Sequence, residues 1–306
     1  MKKILCLCFS ATLQRTISFD SVRLEKVNRS KYYRMDASGK AVNSARILAQ
    51  LEKGCVRTFC PLGSQNKDEF IKLAKADGLN LFYIEIPGKT RECWTLLDRT
   101  LGTTTEIVVG EPVLERTSEF IALEEKLLGE TLPNEIKNCD AVLLAGSRPG
   151  IWKETLYSEI AKLCIDQKKL FLADYIGADL KTTLQTCTPS IIKINDEEFS
   201  QTFCTIQDTP LDEDSLKSAI IQKSRELHNM IVVTRGTKST FAAKNGEFCE
   251  CPIEKVQAVN TTACGDSFNA GFLFEYIRTQ NFTQALKKGT WCAARNAERE
   301  CPGSIL

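Results

Sequence analysis

The chain has 306 residues, of which 43% are hydrophobic and 26% charged, and its 40 basic and 39 acidic side chains leave a formal net charge of +1. This composition is typical of a folded globular protein, and the balanced charge gives no electrostatic reason to expect nucleic acid or an anionic membrane as a partner. The single histidine, His228, excludes metal and catalytic sites that need several histidines.

Short apolar runs alternate with amphipathic segments along the chain. In chain order, the runs predict strands over residues 3–9, 55–61, 81–86, 141–145, 170–173, 190–194 and 230–234. The segments between them predict helices over residues 40–51, 67–76, 118–128, 153–166 and 214–227. Alternating strands and helices indicate crossover connections, so we expect an α/β fold with a mostly parallel central sheet and helices on both faces.

Residues 15–35 and 92–109 differ from this pattern because they alternate polar and apolar positions. Alternation with period two indicates a sheet with one solvated face. We therefore expect two insertions to form a small β-layer over the carboxyl edge of the main sheet, where it serves as a lid or a dimer contact. No linker or repeat divides the chain, so residues 1–306 are predicted to be one domain.

The first residues, MKKILCLCFSATLQR, resemble the start of a signal peptide. The apolar run is short and no cleavage site follows it, so a buried first strand is the preferred prediction. None of the 14 cysteines forms a C-x-x-C pair, which favours buried free thiols in a reducing cytoplasm over zinc sites or disulfides. No apolar run approaches the roughly 20 residues of a membrane span.

The segment 259–272 carries the strongest chemical signal. Small residues lead to Gly265 and Asp266, and an amphipathic helix follows. The free N–H groups of a helix N-terminus attract anions, and an aspartate in the first turn could accept a proton from a substrate hydroxyl. The alternative is that Asp266 caps the helix and the small residues only form a turn.

A second segment, residues 37–46, places Lys40 and Asn43 three residues apart at the start of a predicted helix. Both side chains can therefore face the same side of the helix opening. A cation and an amide there suit a sugar phosphate or a hydroxyl group. The alternative is an ordinary surface helix with a solvated lysine.

Together the two segments resemble the N-terminal and C-terminal signatures of the PfkB or ribokinase-like family of carbohydrate kinases. Three further segments resemble family motifs in the same order, namely 145–150, 193–198 and 233–236. Residues 27–29 and 90–91 further resemble the branch that contains 1-phosphofructokinase and tagatose-6-phosphate kinase. The resemblance spans nearly the whole chain and implies a three-layer α-β-α ribokinase-like fold.

The resemblance also implies ATP and Mg²⁺ as cofactors and a role for each matching residue. Asp266 would be the general base, with the backbone N–H groups of Ala263, Cys264, Gly265 and Asp266 as an anion hole. Asn195 and Glu198 would hold Mg²⁺, while Lys193, Asn195, Thr234, Gly236 and Asn296 would bind the nucleotide. The substrate residues would be Gln14, Arg29, Gly39, Lys40, Asn43, Arg91, Gly146 and Ser147.

Several positions depart from the family pattern. Ala263 and Cys264 stand where Gly and Ala are usual, and an alanine at 263 is strained if that position needs a positive φ. Gln14 replaces a sugar-binding Asp, which could shift the preference for the sugar. Arg148 replaces an apolar residue, and either adds a phosphate contact or is solvated.

The resulting hypothesis is a cytoplasmic kinase that binds a small sugar phosphate and ATP, converts fructose 1-phosphate to fructose 1,6-bisphosphate, and forms a homodimer through the small β-layer. The alternatives are a tagatose-6-phosphate kinase, a free-sugar or nucleoside kinase, and a catalytically weakened sugar-phosphate sensor. The Cys264 thiol is predicted to lie beside the transferred phosphate with a lowered pKa.

Overall fold

The computed structural model describes residues 1–110, 115–204 and 211–306. The strands are β1 (Ile4–Leu7), β2 (Thr12–Phe19), β3 (Tyr32–Ser38), β4 (Val56–Gly63), β5 (Leu81–Ile86), β6 (Arg91–Asp98), β7 (Thr103–Val109), β8 (Ala141–Ala145), β9 (Leu170–Asp174), β10 (Ile191–Asn195), β11 (Met230–Arg235), β12 (Lys238–Lys244) and β13 (Glu247–Cys251). The helices are α1 (Lys40–Leu51), α2 (Lys67–Ala76), α3 (Ser118–Lys126), α4 (Leu132–Lys137), α5 (Leu156–Asp166), α6 (Gly177–Thr186), α7 (Asp196–Phe203), α8 (Glu213–Leu227), α9 (Cys264–Thr279) and α10 (Phe282–Ala297). A π-helical turn, Leu127–Thr131, joins α3 to α4.

The larger sheet has nine strands in the order β13-β12-β11-β10-β9-β8-β1-β4-β5. Its strands run parallel from β5 to β11, and only β12 and β13 are antiparallel to their neighbours. The parallel strands are apolar without alternation because they are buried on both faces. One hydrophobic core includes residues of α1, α9 and α10, and the other includes residues of α5 and α8. The predicted three-layer fold is confirmed.

A second sheet, which we call the small sheet, has four strands in the order β3-β2-β6-β7. It is built from the two alternating segments, but its strands β2 and β6 begin at Thr12 and Arg91, slightly before the predicted boundaries. The pairing of Gln14 with Asp36 puts both side chains on one face, which is buried. The opposite face carries exposed apolar side chains.

The cysteines are free thiols, as predicted, and most of them are buried. No helix in the described ranges combines the length and apolar composition that crossing a membrane requires.

Candidate active site

Several predicted residues meet at the carboxyl edge of the larger sheet, where its parallel strands end. Strand β9 ends at Asp174 and strand β10 ends at Asn195, which is paired in register with Thr234 of β11. Helices α1 and α9 begin at this edge and pack against each other through the Ser44 hydroxyl, which donates to the Asp266 carbonyl at 2.8 Å. The topology therefore brings together side chains from five elements.

Asp266 lies in the first turn of α9 and is only 7% exposed. Its Oδ2 accepts a hydrogen bond from Asn43 Nδ2 of α1 at 2.9 Å. Burial raises the pKa of Asp266 to about 6, against the opposing effect of the Lys40 charge and the Asn43 hydrogen bond. A carboxylate with this pKa is ionised at neutral pH and is a stronger base than an exposed aspartate.

Asp174, which the sequence analysis did not identify, connects two of the predicted lysines. It is fully buried, and its oxygens lie 3.1 Å from Lys40 Nζ and 3.4 Å from Lys193 Nζ. Asn269 of α9 also donates to it. Burial alone would raise the pKa of Asp174, but the charges of Lys193 and Lys40 outweigh burial and hold that pKa well below its usual range. Asp174 in turn raises the pKa of Lys40.

The Lys193 ammonium lies against the N-terminus of α9, in the space that the missing side chain of Gly265 leaves. A Cβ added to Gly265 would lie 2.9 Å from Lys193 Nζ, so any larger residue would displace the ammonium group. Lys193 thus places a positive charge beside the first turn of α9. A helix N-terminus leaves its first N–H groups without helical partners, and of these the Cys264 N–H donates to the Thr261 carbonyl at 3.3 Å. This arrangement fits an anion such as the terminal phosphate of ATP.

Asn195 and Glu198 form a reciprocal cap at the start of α7. Asn195 Oδ1 accepts from the Glu198 N–H, and Glu198 Oε2 accepts from the Asn195 N–H, both at 2.8 Å. In the ranges that the structure describes, Glu198 Oε1 accepts no hydrogen bond. Within the described part of the chain, no three histidine, cysteine, aspartate or glutamate side chains form a metal-binding group. A single free carboxylate oxygen fits Mg²⁺, which binds few protein ligands and relies on phosphates and water.

Two glycines allow the predicted substrate loops to approach each other closely. A Cβ on Gly39, whose φ is +126°, would lie 2.6 Å from Cys8 Sγ. A Cβ on Gly146, whose φ is +100°, would lie 2.6 Å from Ser10 Oγ and 3.9 Å from Lys40 Cβ. These contacts bring Ser10 against the start of α1.

Arg91 reaches the same place from the small sheet. Its Nε donates to Thr12 Oγ1 at 2.8 Å and its Nη2 donates to the Ser10 carbonyl at 3.3 Å. Ser10 therefore lies between Arg91 on one side and Gly146 on the other, and the stem of Lys40 lies on the far side of Gly146, with its ammonium group bonded to Asp174.

The other predicted residues differ in their surroundings. Gln14 is buried in the small sheet and donates to Thr95 Oγ1. Arg29 is exposed in the connection between β2 and β3, and its side chain has no hydrogen-bond or ion-pair partner among the described residues. Ser147 is exposed, and its carbonyl accepts from the Tyr157 hydroxyl at 2.9 Å. Gly236 lies in the exposed turn after β11.

Asn296 is fully buried behind the loop that precedes α9. Its Nδ2 donates to the Thr262 carbonyl at 2.8 Å, and its Oδ1 accepts from the Gly303 N–H at 2.7 Å. Both polar atoms of the amide are thus used inside the protein. Asn296 therefore supports the shape of the loop. The resemblance instead implies a direct contact between Asn296 and the nucleotide.

Two expectations from the sequence are wrong. The first is the lowered pKa of the Cys264 thiol. Burial raises this pKa, and its effect outweighs the lowering effect of the hydrogen bond from Asn296. The solvated alternative for Arg148 is the second, because its Nε lies 2.7 Å from Asp179 Oδ1 and its Nη1 donates to the Trp152 carbonyl at 2.6 Å. A phosphate contact by Arg148 stays a prediction.

Ala263 has a φ of +66°, so the strain that its sequence position suggested is present. Replacing Ala263 by glycine is expected to raise the free energy of unfolding by about 1 kcal/mol, because glycine adopts this conformation without a clash between Cβ and the backbone. Urea denaturation measures the change. The control is Ala293→Gly in the middle of α10, where loss of helix propensity should destabilise by a similar amount. Equal destabilisation by both substitutions would contradict the strain.

Comparison with known proteins gives one family and one fold. A family model described as pfkB family carbohydrate kinase matches residues 3–304. A mutant of phosphofructokinase-2 from Escherichia coli has a TM-score of 0.84 at 16% identity, covering 100% of this chain and 96% of that one. A protein described as a possible 1-phosphofructokinase from Thermotoga maritima has a TM-score of 0.83 at 17% identity, covering 97% and 92%. Ribokinase from T. maritima has a TM-score of 0.74 at 18% identity, covering 100% and 96%.

Proposed function

Because the chain belongs to the pfkB family of carbohydrate kinases, we propose that it transfers the terminal phosphoryl group of ATP to a phosphorylated ketohexose, and that the substrate is fructose 1-phosphate. The observation that carries this proposal is the position of Asp266. It is a buried carboxylate with a raised pKa, bonded to Asn43 and lying in the helix turn whose Gly265 is covered by the Lys193 ammonium.

The acceptor side of the site supports a sugar that already carries a phosphate. Arg91 donates to the Ser10 carbonyl, and Gly146, which contacts Ser10, lies beside the stem of Lys40. An Arg and a Lys near one loop suit a phosphate group. Two proteins of similar fold support the same class, since the E. coli phosphofructokinase-2 has been solved with fructose-6-phosphate and the T. maritima protein is described as a possible 1-phosphofructokinase. Gly39, Gly146, Ser147, Gln14 and Arg29 complete the proposed sugar site.

In the proposed reaction, Asp266 accepts the proton of the acceptor hydroxyl. The oxygen of that hydroxyl bonds to the γ-phosphorus of ATP, and the bond from that phosphorus to ADP breaks. Asn43 holds the carboxylate in place. Lys193 and the N–H groups of Ala263, Cys264, Gly265 and Asp266 stabilise the negative charge on the transferred group. This arrangement needs no histidine.

The nucleotide side uses the ends of β10 and β11. Glu198 and Asn195 would hold Mg²⁺, which neutralises phosphate charge when bound. Thr234, paired in register with Asn195, and the turn at Gly236 would support the nucleoside, and Asn296 would shape the loop behind it.

We further propose that the small sheet covers the sugar site and that its outer face joins two copies of the chain. Tyr33, Trp94 and Ile107 on this face are 55%, 38% and 47% exposed. An exposed apolar patch on one face of a sheet commonly marks an interface, and a self-complementary one gives a twofold dimer. Sedimentation velocity tests the proposal, and Ile107→Glu should shift the dimer to monomer.

A sugar-phosphate sensor with weak turnover is the second candidate. It is favoured by the strained Ala263 beside the proposed anion hole and by Gln14, whose amide is committed to Thr95. Tight binding without turnover would support it.

A coupled assay of ADP release tests the proposed function. The acceptors are fructose 1-phosphate, fructose 6-phosphate, tagatose 6-phosphate, fructose, ribose and adenosine, each with ATP and Mg²⁺. The highest kcat/KM is expected for fructose 1-phosphate. Preference for another sugar phosphate would change the substrate but keep the class, whereas preference for a free sugar or a nucleoside would reject the class.

A further inference from the structure

Arg46 lies on α1, one turn after Asn43, and is only 4% exposed. Its guanidinium group makes four hydrogen bonds in different directions. Nε donates to Asp77 Oδ2 at 2.9 Å, Nη2 donates to the Ala37 carbonyl, and Nη1 donates to both the Pro302 carbonyl at 3.0 Å and Asn43 Oδ1 at 3.2 Å. A buried arginine held this rigidly is a fixed donor for Asn43.

The orientation of the Asn43 amide follows from its partners. Its oxygen accepts from Arg46 Nη1 and also from Ser38 Oγ at 3.0 Å, while its nitrogen donates to Asp266 Oδ2 at 2.9 Å. The guanidinium group can only donate, and an ionised carboxylate can only accept. The reversed amide would therefore place two donors against each other and an oxygen against Asp266.

We propose that Arg46 is a positioning residue that fixes the Asn43 amide so that its NH2 group donates to Asp266. Arg46 would act on the base through Asn43 and would touch neither the sugar nor the nucleotide. The proposal rests on the proposed function for the role of Asp266 as the base, but the hydrogen bond it concerns is present without any substrate.

Other charged groups also face Asp266. Lys40 of α1 and Lys193 of β10 lower its pKa, Asp174 of β9 raises it, and the Cys264 thiol lies two residues before it in the same helix. None of these groups is bonded to Arg46 among the described residues. A change at Arg46 should therefore reach Asp266 through Asn43, apart from the direct effect of the lost charge.

The test is a titration of the aspartate carboxyl carbons by ¹³C NMR in the full chain without ligand, with the Asp266 signal assigned by its loss in Asp266→Asn. In Arg46→Met, which keeps a buried chain of similar length, the pKa of Asp266 is expected to rise by about one unit above the wild-type value, because the stabilising donation weakens. Asn43→Ala should raise it at least as much. The control is Arg116→Met, which also removes an arginine bonded to a buried glutamate and a main-chain carbonyl.

The double variant Asn43→Ala/Arg46→Met separates positioning from charge. If Arg46 acts through Asn43, Arg46→Met raises the Asp266 pKa less in the Asn43→Ala background than in the wild type. An equal rise in both backgrounds would show a purely direct charge effect and overturn the proposal. Arg46→Lys keeps the charge and replaces Arg46→Met in the titration if the methionine variant fails to fold. Its single ammonium cannot bridge Asp77 and Asn43, so the pKa should still rise, and an unchanged value would reject the positioning role.

Because the titration needs no substrate, it can fail while the kinase assay succeeds, or succeed while the assay fails. In an active enzyme, Arg46→Met should also move the acid limb of the kcat profile upward by the same amount, with a smaller effect on KM.

Discussion

Replacing Asp266 by asparagine is expected to lower kcat by about 10²- to 10⁴-fold while ATP still binds, because the general base is lost and the anion-binding helix turn remains. Asparagine has the same shape as aspartate, and its oxygen can still accept the hydrogen bond from Asn43 Nδ2. The coupled assay measures turnover, and calorimetric titration of the unreacted variant measures ATP binding. Near-normal turnover would reject Asp266 as the base.

A matched control for this substitution is Asp98→Asn at the end of β6. Asp98 is also a buried aspartate, but it accepts from the main-chain N–H groups of Val22 and Leu101 in the small sheet. Its replacement should reduce stability and leave kcat nearly unchanged. Equal loss of kcat in both variants would indicate a general structural effect.

The raised pKa of Asp266 also links activity to stability. The ionised base disappears below pH 6, so kcat should fall about tenfold for each pH unit below that value. The pKa of an aspartate in the unfolded chain is about 4, so folding favours the protonated form of Asp266. This preference contributes to the free energy of unfolding below pH 4, and the contribution is lost as pH rises through about 6. Asp266→Asn removes this loss, so the variant should be more stable than wild type at pH 8 while being far less active.

The sequence predicts elements best where a hydrophobic pattern is local. Helices over residues 40–51 and 67–76 and strands over residues 81–86 and 141–145 have the predicted bounds. The antiparallel pair β12 and β13 was not predicted because its strands mix charged ends with short apolar centres and depend on β11 for pairing. Helix α6 was missed because it buries only Leu180 and Thr183, which do not form a periodic stripe.

In the site, too, residues within contiguous motifs were predicted, and residues that meet only in the folded chain were not. Motif residues around Gly265 and Asn195 could be identified because each motif is contiguous. Asp174 could not, since its function depends on lysines 134 and 19 residues away along the chain that meet it only after the sheet forms. Its one sequence signal is a carboxylate at the end of a buried strand. Likewise, the pKa of Cys264 depends on burial, which spacing in the sequence does not reveal.

Replacing Arg91 by alanine is expected to raise KM for fructose 1-phosphate by about 10- to 100-fold, with a small change in kcat. Arg91 is held against the Ser10 loop by Thr12 Oγ1 and the Ser10 carbonyl, so its charge lies beside the loop that also contacts Gly146. A phosphate on the sugar would lose a charge-assisted hydrogen bond in the variant. Free fructose carries no charge, so its KM should change little.

The comparison between the two sugars makes the Arg91 result decisive. Equal effects on fructose 1-phosphate and fructose would mean that Arg91 shapes the site without binding a phosphate, which favours a free-sugar or nucleoside kinase. Arg57→Ala is the control, because it removes the same charge at the opposite edge of the larger sheet, where Arg57 lies 3.1 Å from Glu135. If Arg57→Ala also raises KM for the sugar phosphate, the effect comes from net charge and long-range attraction, and it should then disappear at high salt. A rise confined to Arg91 and persisting at high salt assigns phosphate recognition to the small sheet.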